Sequence, residues 1–75
     1  MQEVKPGIYR HFKGKEYKVI GIARHSETLE ELVVYQALYD DPEFGSNSLW
    51  IRPKKMFFDK VNYQGKIISR FDYLE

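Results

Sequence analysis

The absence of cysteine from a chain of only 75 residues is the feature that most constrains its fold. A domain this small buries only about 60% of the surface of its unfolded chain, so it usually depends on disulfides, a structural metal or a partner subunit. Without cysteine there are no disulfides or thiolate metal sites, and His11 and His25 alone cannot complete a tetrahedral zinc site. We therefore expect one domain over 1–75, with no metal and no cofactor, in which 1–6 form a loose N-terminal tail.

Aromatic residues can provide the packing, since the chain has six Tyr, five Phe and one Trp. Together with β-branched residues they form short runs separated by turn residues, which is typical of an all-β fold. The pattern predicts a mainly β domain, a small SH3-like barrel of five to six short strands with at most a helical turn. The runs lie at 7–12, 16–25, 31–39, 48–52 and 66–71, with turns at 13–15 and 62–65 and a loop at 40–47.

The sequence allows more than one local structure at two segments and at one glycine. Residues 31–39 have apolar residues at helical spacing behind a capping box, but the run Val33-Val34-Tyr35 favours a strand, and we predict a strand. Residues 54–61 indicate either a turn of helix or a short irregular strand. Gly21, inside the second run, indicates a bend or a β-bulge.

Charge is nearly balanced overall but uneven along the chain. The net charge of +1 is too small to indicate nucleic-acid binding by itself. Residues 1–25, 26–44 and 45–75 carry +4, −6 and +3. This segregation indicates either an ordinary solvated surface or a basic face and an acidic region that attract partners of opposite charge.

Nothing in the sequence indicates export or membrane insertion. The first residues have no apolar stretch typical of a signal peptide. No run approaches the roughly 18 apolar residues that span a bilayer. We expect a cytoplasmic protein with no membrane association.

The order of several short motifs resembles a small bacterial family known as domain of unknown function 1653. The resemblance extends from Tyr9 to Phe71 and implies a compact β domain with an SH3-like architecture. It implies no activity, because the family's function is not established, but it makes the His25–Thr28 motif a family feature. The matching segments are Tyr9-Arg10-His11-Phe12-Lys13-Gly14, Tyr17-x-Val19, Ala23-x-His25-Ser26-Glu27-Thr28, Val33-Val34-Tyr35-x-x-Leu38-Tyr39, Trp50-x-Arg52-Pro53-x-x-Met56-Phe57 and Arg70-Phe71.

One cluster, His25-Ser26-Glu27-Thr28, combines a base, a hydroxyl and a carboxylate. A Ser–His pair needs the hydroxyl within about 3 Å of a ring nitrogen, whereas neighbouring residues of a strand point to opposite faces. The cluster is therefore explained first as a hydrogen-bonded turn. A contact with a ligand is the second interpretation and catalysis the third, and we predict no catalytic residue.

The strand around Trp50 offers a better candidate surface. Trp50 and Arg52 share one face of this strand, opposite Leu49 and Ile51. We expect Leu49 and Ile51 to fill the core, which would place Trp50 and Arg52 outward or in a groove. An indole beside a planar guanidinium suits stacking on a base or binding a phosphate or carboxylate. The alternative is that Trp50 covers an open end of the barrel and the arginines pair with acids.

These observations favour a non-enzymatic binding module for an anionic or planar ligand: a nucleotide, single-stranded nucleic acid or a carboxylate-bearing peptide. One alternative is a protein–protein adaptor that uses the acidic segment 27–43, or a homodimer formed through Phe44, Phe57 or Phe58. Another is a small enzyme centred on His25. The predicted ligand-binding residues are Arg10, His25, Ser26, Thr28, Tyr35, Trp50 and Arg52.

Overall fold

The computed structural model describes residues 4–75, and over this range the chain is mainly β. No helix in this range is long and apolar enough to cross a membrane. The elements are β1 (Gly7–His11), β2 (Glu16–Arg24), β3 (Glu31–Ala37), β4 (Asp40–Asp41), β5 (Gly45–Ser46), β6 (Leu49–Pro53), α1 (Lys54–Phe57), β7 (Lys60–Tyr63), β8 (Lys66–Ser69) and β9 (Phe71–Tyr73).

Five of the strands form one antiparallel sheet in the order β6-β3-β2-β1-β9. Two further pairs, β4-β5 and β7-β8, lie outside this sheet as separate hairpins. The mainly β fold and the single helical turn predicted from the sequence are confirmed. Within residues 4–75 no ladder joins β6 to β9, so the sheet stays open and the closed barrel predicted from the sequence is not found.

Tight turns form where glycine follows a polar residue. In the β1–β2 turn Gly14 has a φ of 102° and donates its N–H to the carbonyl of His11. In the β7–β8 turn Gln64 and Gly65 both have positive φ, at 53° and 80°. Two consecutive residues of positive φ are characteristic of the type I′ turn, whose twist matches that of a hairpin. The turns predicted at 13–15 and 62–65 are both present.

A β-bulge in β2 changes which side chains face the core. The register shifts between Val19, opposite Tyr35, and Gly21, opposite Val34. The extra residue exchanges the two faces of the strand, so that Ile22 rather than Gly21 lies on the same side of the sheet as Val19. The prediction of a bend or bulge at Gly21 is confirmed.

The core lies between one face of the large sheet and α1. Phe57, from α1, is 1% exposed and stacks on Phe71 with 4.6 Å between ring centroids and an interplanar angle of 4°. Of the segment predicted as a strand at 31–39, residues 31–37 form one, and of the two possibilities at 54–61 the turn of helix forms at 54–57. The buried core residues are Tyr9, Val19, Val33, Tyr35, Phe57 and Phe71.

The predicted orientation of β6 is wrong. Leu49 and Ile51 are 63% and 62% exposed, whereas Trp50 and Arg52 are half-buried. Residues paired across antiparallel strands share a face of the sheet. Trp50 lies opposite the buried Tyr35 and Arg52 lies opposite another buried residue of β3, so both point toward the core side.

The N-terminal segment has contacts where the structure describes it. Val4 packs against the core. The backbone N–H of Lys5 donates to the Tyr9 hydroxyl at 3.1 Å, and that hydroxyl donates to the Lys5 carbonyl at 2.8 Å. Of the tail predicted at 1–6, residues 1–3 lie outside the described residues, and these contacts hold Val4 and Lys5 against the domain.

We expect Gly7→Ala to lower the free energy of unfolding by about 1–3 kcal/mol. Gly7 has a φ of 145°, and a Cβ there would lie 2.5 Å from the backbone oxygen of Glu75. Equilibrium urea unfolding tests this. Gly21→Ala is the matched control, because no atom lies within 4 Å of its added Cβ. Equal stability of the two variants would contradict the prediction.

Candidate functional site

A cleft of about 330 Å³ opens on the core side of the large sheet, and seven of its nine lining residues carry aromatic rings. We call this site the aromatic cleft. It is lined by His11, Tyr17, Tyr35, Tyr39, Asp41, Phe44, Trp50, Arg52 and Phe71.

The loop between β3 and β6 fixes one wall of the aromatic cleft. Asp41 Oδ1 accepts the backbone N–H groups of Glu43 at 2.7 Å and Phe44 at 3.1 Å. The Phe44 ring then meets Trp50 edge-on, with 5.1 Å between centroids. The indole N–H of Trp50 donates to Ser48 Oγ at 2.9 Å, which fixes the orientation of the ring.

Two phenols lie at the Asp41 side of the aromatic cleft. The hydroxyls of Tyr17 and Tyr39 are 2.7 Å apart and share one hydrogen bond. Burial, the hydrogen bond to Tyr39 and nearby negative charge, including that of Asp41, raise the pKa of Tyr17 well above its usual value. Tyr17 therefore remains a neutral hydroxyl over the whole physiological pH range.

Positive charge gathers at the His11 side of the aromatic cleft. Burial lowers the pKa of His11, and the charges of Arg70, Lys13 and Arg52 lower it further. His11 Nδ1 accepts the backbone N–H of Lys13 at 3.2 Å, so the neutral ring carries its proton on Nε2. We call Arg52, Arg70 and Lys13 the basic cluster.

The arginines of the basic cluster have unsatisfied donors. The Nε atoms of Arg52 and Arg70 are buried and have no hydrogen-bond partner within residues 4–75. Neither arginine takes part in an ion pair in this range, where the pairs are Arg10–Glu16, Lys54–Glu31 and Lys55–Glu30. A buried donor without a partner is unfavourable by about 1–3 kcal/mol.

We expect His11 to make the protein less stable as pH falls. Its pKa is lowered in the folded state, so the unfolded chain takes up the proton first, near pH 6.5. The stability is complete above that pH and is lost as pH falls toward the folded-state pKa. Urea unfolding at several pH values should show a smaller loss for His11→Gln than for the wild type, and an identical loss would contradict the prediction.

The structure brings three of the predicted site residues together in the aromatic cleft: Tyr35, Trp50 and Arg52. Arg10 does not line it. The Arg10 side chain is 53% exposed and pairs with Glu16 at 3.2 Å.

His25, Ser26 and Thr28 form an exposed turn that does not line the aromatic cleft. His25 Nδ1 accepts the backbone N–H groups of Glu27 at 3.1 Å and of Thr28 at 3.3 Å. Thr28 Oγ1 accepts the N–H of Glu30 at 3.3 Å. These bonds stabilise the β2–β3 connection. None of the hydrogen bonds found within residues 4–75 joins the His25 ring to the Ser26 hydroxyl, so the two do not form a nucleophile–base pair there.

The acidic segment 27–43 is partly neutralised. Glu30 and Glu31 lie 3.6 Å and 3.7 Å from the ammonium groups of Lys55 and Lys54 in α1. Among the residues that the structure describes, no three His, Asp or Glu side chains are grouped so as to hold a metal ion.

Sequence analysis missed six residues of the aromatic cleft. Strand alternation could have found the four on strands or beside them, because aromatic residues recur on the core-facing positions of successive strands. The other two come from the short β4–β5 hairpin, in which Asp41 ends β4 and Phe44 lies in the turn, where no periodicity predicts the direction of a side chain. The missed residues are His11, Tyr17, Tyr39, Asp41, Phe44 and Phe71.

Comparison with known proteins places the chain in a family. Residues 7–73 match the family described as "Protein of unknown function (DUF1653)". A crystal structure of a protein of that family from Bordetella bronchiseptica is similar, with 35% sequence identity and a TM-score of 0.85 over 99% of this chain and 91% of that protein. No curated protein matches the sequence. The match over nearly the whole chain, in sequence and in fold, shows that the protein belongs to the DUF1653 family.

Proposed function

We propose that this protein is a non-enzymatic binding module whose aromatic cleft takes a small anionic ligand with a planar group. The observation that carries the proposal is that Arg52, a permanent positive charge in no ion pair found within residues 4–75, lines an aromatic-walled cleft.

The anionic part of the ligand follows from the basic cluster. A guanidinium presents its donors in a planar fork that fits a carboxylate or a phosphate. His11 adds a neutral donor, because the Lys13 amide occupies its Nδ1 and leaves the proton on Nε2. An anion bound in the cleft would compensate the charge of Arg52, which lines it.

The aromatic walls of the cleft favour a ligand with a planar group. Trp50 is half-buried, its N–H is bonded to Ser48, and its ring is fixed by Phe44. A fixed indole can stack on a flat ligand with little loss of side-chain entropy, and stacking of a base on an aromatic ring contributes about 1–3 kcal/mol. The volume of about 330 Å³ lies within the range of small-molecule sites.

Amide chemical shifts recorded during titration test the proposal. Nucleoside monophosphates, short single-stranded oligonucleotides and a carboxylate-bearing peptide are added in turn. The proposal expects at least one of them to shift the Trp50 indole N–H and the amides of His11, Arg52 and Phe71. Shifts that are absent, or confined to the His25–Thr28 turn, would overturn it.

Two finer predictions from the sequence remain part of this proposal. An SH3-like architecture is supported by the five-stranded sheet, in which every pair of strands is antiparallel, and by the helical turn α1. A cytoplasmic location is supported by the lack of cysteine, which suits a reducing compartment.

A further inference from the structure

The two ends of the aromatic cleft differ in chemistry. The basic cluster lies beside one end, where His11 and Arg52 contribute donors. The other end contains Asp41, close enough to Tyr17 for its charge to act on the phenol. Asp41 and Arg52 line the same cleft but do not form an ion pair with each other in the described part of the chain. A ligand can therefore meet a positive group and a negative group at different points.

The Asp41 end can recognise a hydrogen-bond donor and an acceptor together. Asp41 Oδ1 is occupied by two backbone N–H groups, which leaves Oδ2 without a hydrogen bond among residues 4–75. An ionised carboxylate can only accept hydrogen bonds, so Oδ2 requires a donor. The hydroxyls of Tyr17 and Tyr39 have two protons and share one bond, so one proton remains to be donated.

This pairing matches the edge of an amino-bearing nucleobase. Adenine and cytosine each present an exocyclic amino group beside a ring nitrogen, that is, a donor next to an acceptor. Hypoxanthine and uracil have a carbonyl oxygen in place of the amino group. That oxygen would lie unfavourably against the Asp41 carboxylate, because both groups are hydrogen-bond acceptors. Trp50 and Tyr35 provide rings against which the base can lie between the two ends.

The charge at the other end favours a phosphate monoester over a carboxylate. The basic cluster has three positive charges, and none of them belongs to the ion pairs found within residues 4–75. A phosphate monoester carries about −1.5 to −2 at neutral pH and three acceptor oxygens. A carboxylate carries only one charge. The small volume suits one nucleotide, whereas proteins that bind single strands usually cover about 4–16 nucleotides per domain.

We infer that the aromatic cleft binds a nucleoside monophosphate whose base has an exocyclic amino group, the amino group on Asp41 and the phosphate beside Arg52. This rests on the proposed function, because it assigns the ligand of the same cleft. Neither phosphate alone nor a base alone would use both ends.

Isothermal titration calorimetry with matched ligands tests the inference. AMP is compared with IMP and CMP with UMP, since each pair differs by one amino group replaced by a carbonyl oxygen. We expect AMP or CMP to bind at least about 10-fold more tightly than its partner, as for loss of a hydrogen bond to a charged group. In Asp41→Asn, which keeps an oxygen for the Glu43 and Phe44 amides, the preference should fall to about 3-fold or less.

The outcomes separate the inference from the proposed function. Equal affinity for both members of each pair, or binding of inorganic phosphate as tight as that of AMP, would overturn the inference and leave the binding module standing. Much tighter binding of an oligonucleotide than of its mononucleotide would replace it with single-stranded nucleic acid. Absence of binding by every phosphate compound and by the carboxylate peptide would overturn the proposed function itself.

Discussion

Phe57→Ala is expected to lower the free energy of unfolding by about 3–5 kcal/mol. Phe57 is 1% exposed, stacks on Phe71, and meets the rings of Tyr9 and Tyr35 edge-on at 5.4 Å and 6.1 Å. A domain of this size has only about 3–5 kcal/mol of stability from its core. The substitution is therefore expected to leave a large part of the population unfolded at 25 °C.

Urea unfolding followed by far-ultraviolet circular dichroism measures the effect. Ile67→Ala is the matched control, because Ile67 is 67% exposed and an exposed aliphatic residue should change stability by less than about 0.5 kcal/mol. Phe57→Leu keeps most of the apolar volume and should fold with a smaller loss. A loss below about 1 kcal/mol for Phe57→Ala would mean that α1 does not cover the core in solution.

Arg52→Met is expected to weaken ligand binding by about 10- to 100-fold while leaving the unliganded protein as stable as the wild type or slightly more stable. The loss of binding follows from removal of a charged hydrogen bond to the anion, which contributes about 1.5–3 kcal/mol. Stability is retained because the Nε of Arg52 has no partner within residues 4–75, so methionine removes an unsatisfied donor and keeps an apolar stem.

Calorimetric titration and thermal unfolding of the same sample measure both effects. Arg10→Met is the matched control, since Arg10 lies outside the aromatic cleft and forms an exposed pair with Glu16, which contributes about 0–1 kcal/mol. It should bind as the wild type does. A strong loss of stability in Arg52→Met, or equal binding by the two variants, would make Arg52 a packing residue and not a ligand contact.

Strand alternation and turn chemistry were enough to predict most of the fold. The Val33-Val34-Tyr35 run favoured a strand against helical spacing, and the strand forms because β3 is the central partner of both β2 and β6. Closure of the barrel could not be predicted. Closure requires β6 and β9, the two edge strands, to pair with each other. The residues of one strand do not determine which other strand it pairs with.

The direction in which β6 faces was predicted wrongly, although Trp50 and Arg52 do share one face of the strand as predicted. Period-2 alternation places Trp50 and Arg52 on one face whichever way the strand is turned. Aliphatic residues on the other face suggested that Leu49 and Ile51 are internal, but at an edge strand both faces can be partly apolar. The pairing of Trp50 with Tyr35 across the sheet decides the direction, and such a pairing is a contact between distant parts of the chain.

The loop residues of the site are beyond local sequence patterns for a similar reason. Asp41 acts through two backbone amides that shape the loop, and Phe44 reaches Trp50 only after that loop has formed. Acidic residues beside proline and glycine predict a loop and do not predict which wall of the molecule it builds.

The chain has a single tryptophan, and its indole lines the aromatic cleft. When the protein is excited at wavelengths that tyrosine does not absorb, the emission therefore comes from the proposed site. Quenching or a spectral shift on adding an unlabelled compound would report occupancy directly, so large sets of metabolites can be screened without a dye or a tag.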